Sequence, residues 1–315
     1  MEMEARKPLD GMATSVMVGL CVIWGVQQVA IKSAAADITP LLQVALRSGI
    51  AGLAVLILML VRQRKIPFSR ETLRPGLLVG LLFSIEFMFV AEGLRFTTAA
   101  HMAVFLYTAP IFAALGLHFL VPEERLSALQ WSGVGITFIG VIVAFLFGGH
   151  TATAPQASNM LLGDFFGLLA GMFWGMTTLV VRRSKLSSGS ATMTLFYQLA
   201  GAFVLLGGLA WVTGQTHFRL SPVSVSSMVF QTVVVTFGSY LAWFSLMRRY
   251  QASRLGILSF MTPVFGIIAG VVFLHEPLKI NFIAGALLIL LGILTVSAEG
   301  MLGQWIAKKR LGKLR

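Results

Sequence analysis

Apolar runs of about 20 residues, parted by short polar segments, follow one another along the chain, and a hydrocarbon core of ~30 Å takes about that many residues in a helix. The pattern predicts ten crossings: Met12–Ser33, Leu41–Val61, Gly76–Leu94, Ala100–Val121, Ala128–Phe147, Leu162–Val181, Ala191–Val212, Val223–Met247, Leu255–Leu274 and Ile280–Ala298. Pro40, Pro67, Pro75, Pro122, Pro222 and Pro277 punctuate the connections as helix breakers do. The longest uncharged connection, Gly148 to Met160, is small and polar and divides the chain near its middle. The first run is too long for a signal-peptide core, and Lys32 separates it from the small residues Ser33 to Ala36, so it is expected to stay as an uncleaved helix.

The two halves echo each other. Ile23-Trp24-Gly25, Gln27-Gln28 and Lys32 in the first run correspond to Phe173-Trp174-Gly175, Thr177-Thr178 and Arg182 in the sixth, at a constant offset of 150. Tyr107 to Phe112, with Glu123 after them, correspond to Phe260 to Phe265 and Glu276 at an offset of 153, and both halves keep 13 residues from proline to glutamate. Gly133 and Gly140 are seven apart, as are Gly285 and Gly292. Matches in the same order indicate a duplicated five-span unit. Five is odd, so the second copy enters the membrane upside down. The predicted fold is an all-α polytopic membrane protein, ten transmembrane helices as two inverted five-helix repeats, residues 1–155 and 156–315, the latter with a basic cytoplasmic tail. Such repeats suit secondary transporters, whose halves rock around a midplane site. A structural bundle or receptor built by duplication is the plainer alternative.

Composition agrees: 57% of residues are hydrophobic, 11% are charged and the mean hydropathy is +0.86. Soluble domains carry about a quarter charged residues, so an ordinary cytosolic enzyme is excluded. The net charge of +12 does not point to nucleic acid, because the basic residues form short clusters between apolar runs and no aromatic-basic motif accompanies them. With the N-terminus cytoplasmic, 19 of the 24 Lys and Arg fall inside, Lys32, Arg95, Arg219 and Lys279 fall outside, and Arg47 lies within a span. Both termini are therefore expected in the cytoplasm. Cys21 is the single cysteine, and His118, His150, His217 and His275 are scattered, so no disulfide, metal or cofactor is expected. No HExxH, GxSxG or P-loop pattern occurs, so no catalytic residues and no ATP-driven pumping are expected either.

The Trp-Gly of runs one and six, with the segments Phe105–Val143 and Leu258–Val296, closely resembles the EamA-type family of the drug/metabolite transporter superfamily, over about Thr14 to Ala298. Pro122 before Glu123, and the in-span charges Arg47, Glu86 and Glu92, depart from the family's pattern. The resemblance implies a secondary active transporter in a bacterial-type inner membrane that exports small amphipathic metabolites such as amino acids, with lipid and a small-molecule substrate as its partners. It also implies a cavity lined by spans one, three, four, six, eight and nine. An uptake carrier of the same fold, or an intramembrane enzyme using Glu86 and His101, is the alternative; homodimerisation and proton coupling are further expectations.

Trp24, Gln27 and Gln28 share one helix face, as do Trp174, Thr177 and Thr178, so each set either lines the cavity or bonds neighbouring helices. Phe105, Tyr107, Tyr240, Trp243, Ser259 and Phe260 are further cavity candidates, near the helix-disturbing Pro110 and Pro263. Arg47 lies about 9 Å into its span and Glu86 about 15 Å into its own, at 1.5 Å per residue. Charges at such depth need partners, and Arg47 is expected to pair with Glu86 or Glu92, with His101 towards the same side. Glu86 is the coupling candidate: burial raises a carboxyl pKa and a nearby Arg opposes that shift, so this group either carries protons or neutralises Arg47. Glu123 and Glu276, at helix boundaries, are expected to cap helix N-termini or to act as a gating latch.

Overall fold

The computed structural model describes residues 10–63, 69–121, 125–147, 157–187, 189–250 and 252–311. Thirteen α-helices occur among them: α1 (Gly11–Ser33), α2 (Pro40–Gln63), α3 (Arg70–Gly93), α4 (Ala99–Leu106), α5 (Ala109–Leu120), α6 (Ala128–Phe147), α7 (Ala157–Arg183), α8 (Ala191–Val212), α9 (Pro222–Val229), α10 (Tyr240–Arg249), α11 (Ala252–Ser259), α12 (Met261–Leu274) and α13 (Ile280–Leu311). The described residues contain no strand; an isolated bridge joins Ile38 and Phe218. Eight helical stretches are long and apolar enough to cross a membrane, α4 with α5 forming one of them, and Ala128–Ala144 and Met261–Leu274 are shorter apolar helices. Leu53, Ile57, Phe119, Val212 and Leu287 are among the large apolar side chains exposed around the bundle, where a bilayer supplies their contacts.

The prolines act more sharply than a kink. Pro110 has no N–H for the carbonyl of Leu106, and α4 ends at Leu106; Pro263 has none for Ser259, and α11 ends at Ser259. Predicted spans four and nine are therefore each two helices joined by a turn, at Tyr107–Thr108 and at Phe260. Pro75 departs from expectation. The third helix starts at Arg70, where Ser69 and Thr72 form a capping box, and Pro75 lies in its second turn, leaving the Glu71 carbonyl without its helical N–H donor. Pro40 and Pro222 are first residues of their helices, while Pro67 and Pro122 lie outside the described residues. Within the rod from Pro222 to Arg249, Phe230–Ser239 is wound as a π-helix, and the Thr236 hydroxyl donates to Gln231 O at 2.7 Å.

The repeat written in the sequence reappears as repeated contacts. A Cβ on Gly25 of α1 would lie 2.9 Å from Phe265 Cβ of α12, and one on Gly175 of α7 would lie 2.8 Å from Phe112 Cβ of α5. Phe265 and Phe112 are themselves repeat partners. The glycine pairs seat α6 against α13. A Cβ on Gly133 would meet Gly292 O at 2.8 Å, and one on Gly140 would meet Gly285 O at 2.8 Å, so the helices run antiparallel with backbones too close for side chains.

Connections predicted to share one side of the membrane meet at one end of the bundle. Arg219 N donates to Asp37 O at 2.8 Å, the Thr39 hydroxyl to Gln215 O at 2.5 Å, and Gln215 Nε2 to Glu92 Oε1 at 2.8 Å. Elsewhere Asp10 caps α1 by accepting from Ala13 N at 2.7 Å, and it also accepts from the Tyr250 hydroxyl at 2.8 Å.

Candidate functional site

Two sets of buried polar groups lie inside the bundle. The first is central and begins with Arg47 on α2, which is 2% exposed. Its Nη1 donates to Gln231 Oε1 at 3.4 Å, and its guanidinium lies 4.7 Å from the centre of the Phe87 ring. Gln231 is itself fixed: its Nε2 donates to Gln43 Oε1 at 2.7 Å and to the Ser227 hydroxyl at 2.9 Å. Gln43 donates in turn to Ile31 O and Ile38 O at 3.0 and 2.8 Å, and Ser227 to Ala30 O at 2.6 Å. The Arg47 head is thus held by a chain of amides anchored on the end of α1. The expected ion pair is not formed. Among the described residues neither Glu86 nor Glu92 comes within 4.0 Å of Arg47, because Gln231 and Phe87 take the guanidinium, while Glu92 pairs with Arg95 at 2.5 Å.

Glu86, 5% exposed on α3, lies within electrostatic reach of Arg47, Tyr107 and Tyr240. Glu86 Oε2, Arg47 Nε and Gln28 Oε1 are buried with no hydrogen-bond partner among the described residues. Three helices (α1, α2 and α3) each contribute one of these orphaned atoms. Buried polar groups are nearly always satisfied, so each exception calls for an explanation such as a ligand or water. Aromatic rings stand in the same interior. Trp24 and Trp243 meet edge to face at 5.6 Å, the Trp24 indole donating to the Ser239 hydroxyl at 2.9 Å, and Tyr107 meets Trp174 edge to face at 5.1 Å.

Other candidates fall elsewhere. Gln27 and Thr177 are buried, but the Thr177 and Thr178 hydroxyls bond back to Phe173 O and Trp174 O, one turn earlier on their own helix, and Thr178 is exposed. Those hydroxyls are therefore no counterpart to the Gln27–Gln28 face. The Ser259 hydroxyl bonds Gly256 O at 2.6 Å. Phe260 and Phe105 pack in an apolar cluster with Ile111, Phe282 and Ile289, away from the ring pairs above. Pro110 and Pro263 set the two turns already described, and Glu123 lies outside the described residues.

The second polar set lies where α1, α4 and α7 meet the segment before α13. Glu276 does cap a helix, but a distant one. It accepts from Ala99 N at 2.7 Å and Ala100 N at 3.0 Å, at the start of α4 rather than of the helix that follows it. Lys32 Nζ reaches Glu276 Oε1 at 3.2 Å and Thr97 O at 2.5 Å. His101 Nδ1 faces Asp164 Oδ2 at 2.9 Å, the ring stacks on Phe282 at 3.6 Å, and the Thr97 hydroxyl also bonds Asp164. Sequence reasoning missed Asp164, Gln43 and Gln231. An acid two residues inside the predicted sixth run, and amides inside the second and eighth, are the signals that find them.

Among the described residues no group of three or more His, Cys, Asp or Glu has the arrangement of a metal site. The centre brings together an arginine, a carboxyl group, an unpaired amide oxygen and aromatic rings inside a bundle of apolar helices. Such in-span polar groups mark a candidate functional site.

The EamA-like transporter family matches this chain over residues 12–146 and 161–298. An uncharacterized transporter of Bacillus subtilis (strain 168), YoaV, is 26% identical over 278 residues, covering 88% of this chain and 94% of that protein. A probable amino-acid metabolite efflux pump of Salmonella typhimurium is 28% identical over 285 residues, covering 86% of this chain and 90% of that protein. A crystal structure at 20% identity shares the fold with a TM-score of 0.62, covering 90% of this chain and 95% of its own. The protein is a multi-pass membrane transporter of a small-molecule substrate. It belongs to the EamA-like transporter family, whose members are carriers rather than enzymes, so the intramembrane-enzyme alternative falls.

Proposed function

We propose that the protein is a secondary active transporter that exports small amphipathic metabolites such as amino acids by alternating access. The observation that carries this reading is the set of orphaned buried polar atoms on Gln28, Arg47 and Glu86, in a bundle interior that also holds the Trp24–Trp243 and Tyr107–Trp174 pairs. A substrate with polar and apolar parts satisfies both. Trp174 and Tyr240 belong to the same site in this reading. The eight long helices together with Ala128–Ala144 and Met261–Leu274 are taken as ten spans, forming two inverted five-helix repeats. The repeated Gly25–Phe265 and Gly175–Phe112 contacts support that division. Both termini are placed in the cytoplasm, in the inner membrane, on the count of basic residues.

In the same reading the Lys32–Glu276 and His101–Asp164 contacts close the outer end, because each joins a residue of the first half to one of the second. Alternating access then requires these contacts to open and reform. Concentrative export draws on the proton gradient, with Glu86 and His101 as the groups that exchange protons. Export from the amino-acid efflux relatives' side of the family favours the outward direction. Purified protein in liposomes tests the reading: preloaded amino acid should exchange with external labelled amino acid, and an imposed pH gradient should drive accumulation. Absence of flux for amino acids, amines and aromatic metabolites alike would overturn it.

A further inference from the structure

We infer that Tyr250 and Asp10 form a latch at the inner end of the bundle, the repeat counterpart of the Thr97–Asp164 contact at the outer end, and that the two latches open in alternation. The inference rests on the carrier reading above and adds to it the contact that closes the opposite end.

The two contacts match in chemistry and in place. In each a hydroxyl donates to an aspartate: Tyr250 to Asp10 at 2.8 Å, and Thr97 to Asp164. Tyr250 follows Thr97 by 153 residues, the offset that also relates Phe260 to Tyr107 and Phe265 to Phe112. Each hydroxyl residue stands two positions before a short helix, Tyr250 before α11 (Ala252–Ser259) and Thr97 before α4 (Ala99–Leu106), and the bounds of those helices keep the same offset. The aspartates belong to the first helix of each half, Asp10 as the cap of α1 and Asp164 within α7, and are 154 residues apart. That is about one helical turn more than the 150 that separate Trp24 from Trp174.

Their placement is that of latches rather than of ordinary packing bonds. Both cross between the halves of the chain, and in opposite senses: the first half supplies the hydroxyl to one and the acid to the other. They also lie at opposite ends of one helix. Lys32, in the last turn of α1, donates to Thr97 O, whereas Asp10 accepts from Ala13 N at the start of α1. At 1.5 Å per residue the length of α1 puts about 33 Å between them, enough to cross a ~30 Å hydrocarbon core. Finally, α4 and α11 are each rods of eight residues, cut off by the turns at Tyr107–Thr108 and at Phe260. Each rod can swing about its turn and carry the hydroxyl at its other end away from the acid. A single hydrogen bond of this kind is weak enough to break and reform within a transport cycle.

The chain carries its own reporter of the inner end. Cys21, the single cysteine, is fully buried on α1 in a cluster with Leu246, Tyr250 and Leu255, so parting of Tyr250 from Asp10 uncovers its thiol. Purified protein in micelles is alkylated with N-ethylmaleimide. Deuterium exchange is followed in parallel at the start of α4, where Glu276 holds the Ala99 and Ala100 N–H groups. Tyr250→Phe removes a hydroxyl and leaves the ring, and should speed alkylation of Cys21 about 5-fold, the worth of one hydrogen bond, without speeding exchange in α4. Thr97→Val should do the reverse, speeding exchange in α4 while Cys21 reacts no faster than in the unaltered protein. Substitutions that merely loosened the fold would speed both signals in both variants, and that result overturns the inference. An unchanged Cys21 rate in Tyr250→Phe overturns it too. Neither readout uses a substrate, so flux of any metabolite in liposomes alongside a negative result leaves the carrier reading standing, whereas no flux of any kind removes both.

Discussion

The two buried polar sets differ in how completely they are satisfied. Around α4, Glu276 holds two backbone N–H groups and Lys32, and Asp164 holds His101 and Thr97. Arg47, Glu86 and Gln28, on three helices, each keep a buried side-chain atom with no partner among the described residues. Burial and apolar surroundings are shared, so cost of desolvation does not separate them. Closure does. In the transport reading the satisfied set holds one end of the bundle closed between openings, and the unsatisfied set is kept for a substrate. Buried charge then serves two purposes a few turns apart.

That contrast fixes what substitution should do. Glu276→Ala should have the largest effect on stability, lowering it by about 3 kcal/mol, because it strips two N–H groups at the α4 N-terminus and the Lys32 pair together. Equilibrium unfolding in mixed micelles measures it. Asp164→Ala should follow, at about 2 kcal/mol, by leaving the His101 ring and the Thr97 hydroxyl unpartnered. Neutralising the centre should behave otherwise. Arg47→Gln or Glu86→Gln should change stability by no more than about 1 kcal/mol, since each also relieves the burial of a charge, while gradient-driven accumulation falls at least about tenfold, a loss of roughly 1.4 kcal/mol. Collapse of Glu86→Gln with rescue by Arg47→Gln would erase the distinction and make the centre a structural pair. Trp24→Phe removes the indole bond to Ser239 and part of the ring that meets Trp243, and should cost about 1–2 kcal/mol. Thr178→Ala should be neutral within about 0.5 kcal/mol in stability and leave flux unchanged, because its hydroxyl is spent on its own helix.

Much of this was legible in the residues. Pro110 and Pro263 mark the ends of α4 and α11 four residues upstream, because a missing N–H names the carbonyl it abandons. Gly133, Gly140, Gly285 and Gly292 mark a close helix contact through their spacing. The depth of Arg47 and Glu86 follows from counting. Their partners do not, because which helix lies opposite is decided by packing over the whole bundle. Glu276 looks like a cap for the helix after it, yet serves α4, some 177 residues away. Asp164 sits at a span's edge, where an acid reads as interfacial, and only the approach of α4 to α7 makes it a partner for His101. The π-wound stretch Phe230–Ser239 leaves no mark in the apolar pattern, since widening the turns shifts a helical face without changing its composition.

The contact between α6 and α13 has a consequence for how tightly the two helices constrain each other. Gly133 meets Gly292 and Gly140 meets Gly285, while the sequence match pairs Gly133 with Gly285 and Gly140 with Gly292. Each surface thus touches the position complementary to its own match, as in the joint between two identical subunits across a two-fold axis. A helix carrying this surface is self-complementary. A side chain added at any of the four glycines collides with the backbone opposite, so neither helix can change there without displacing the other.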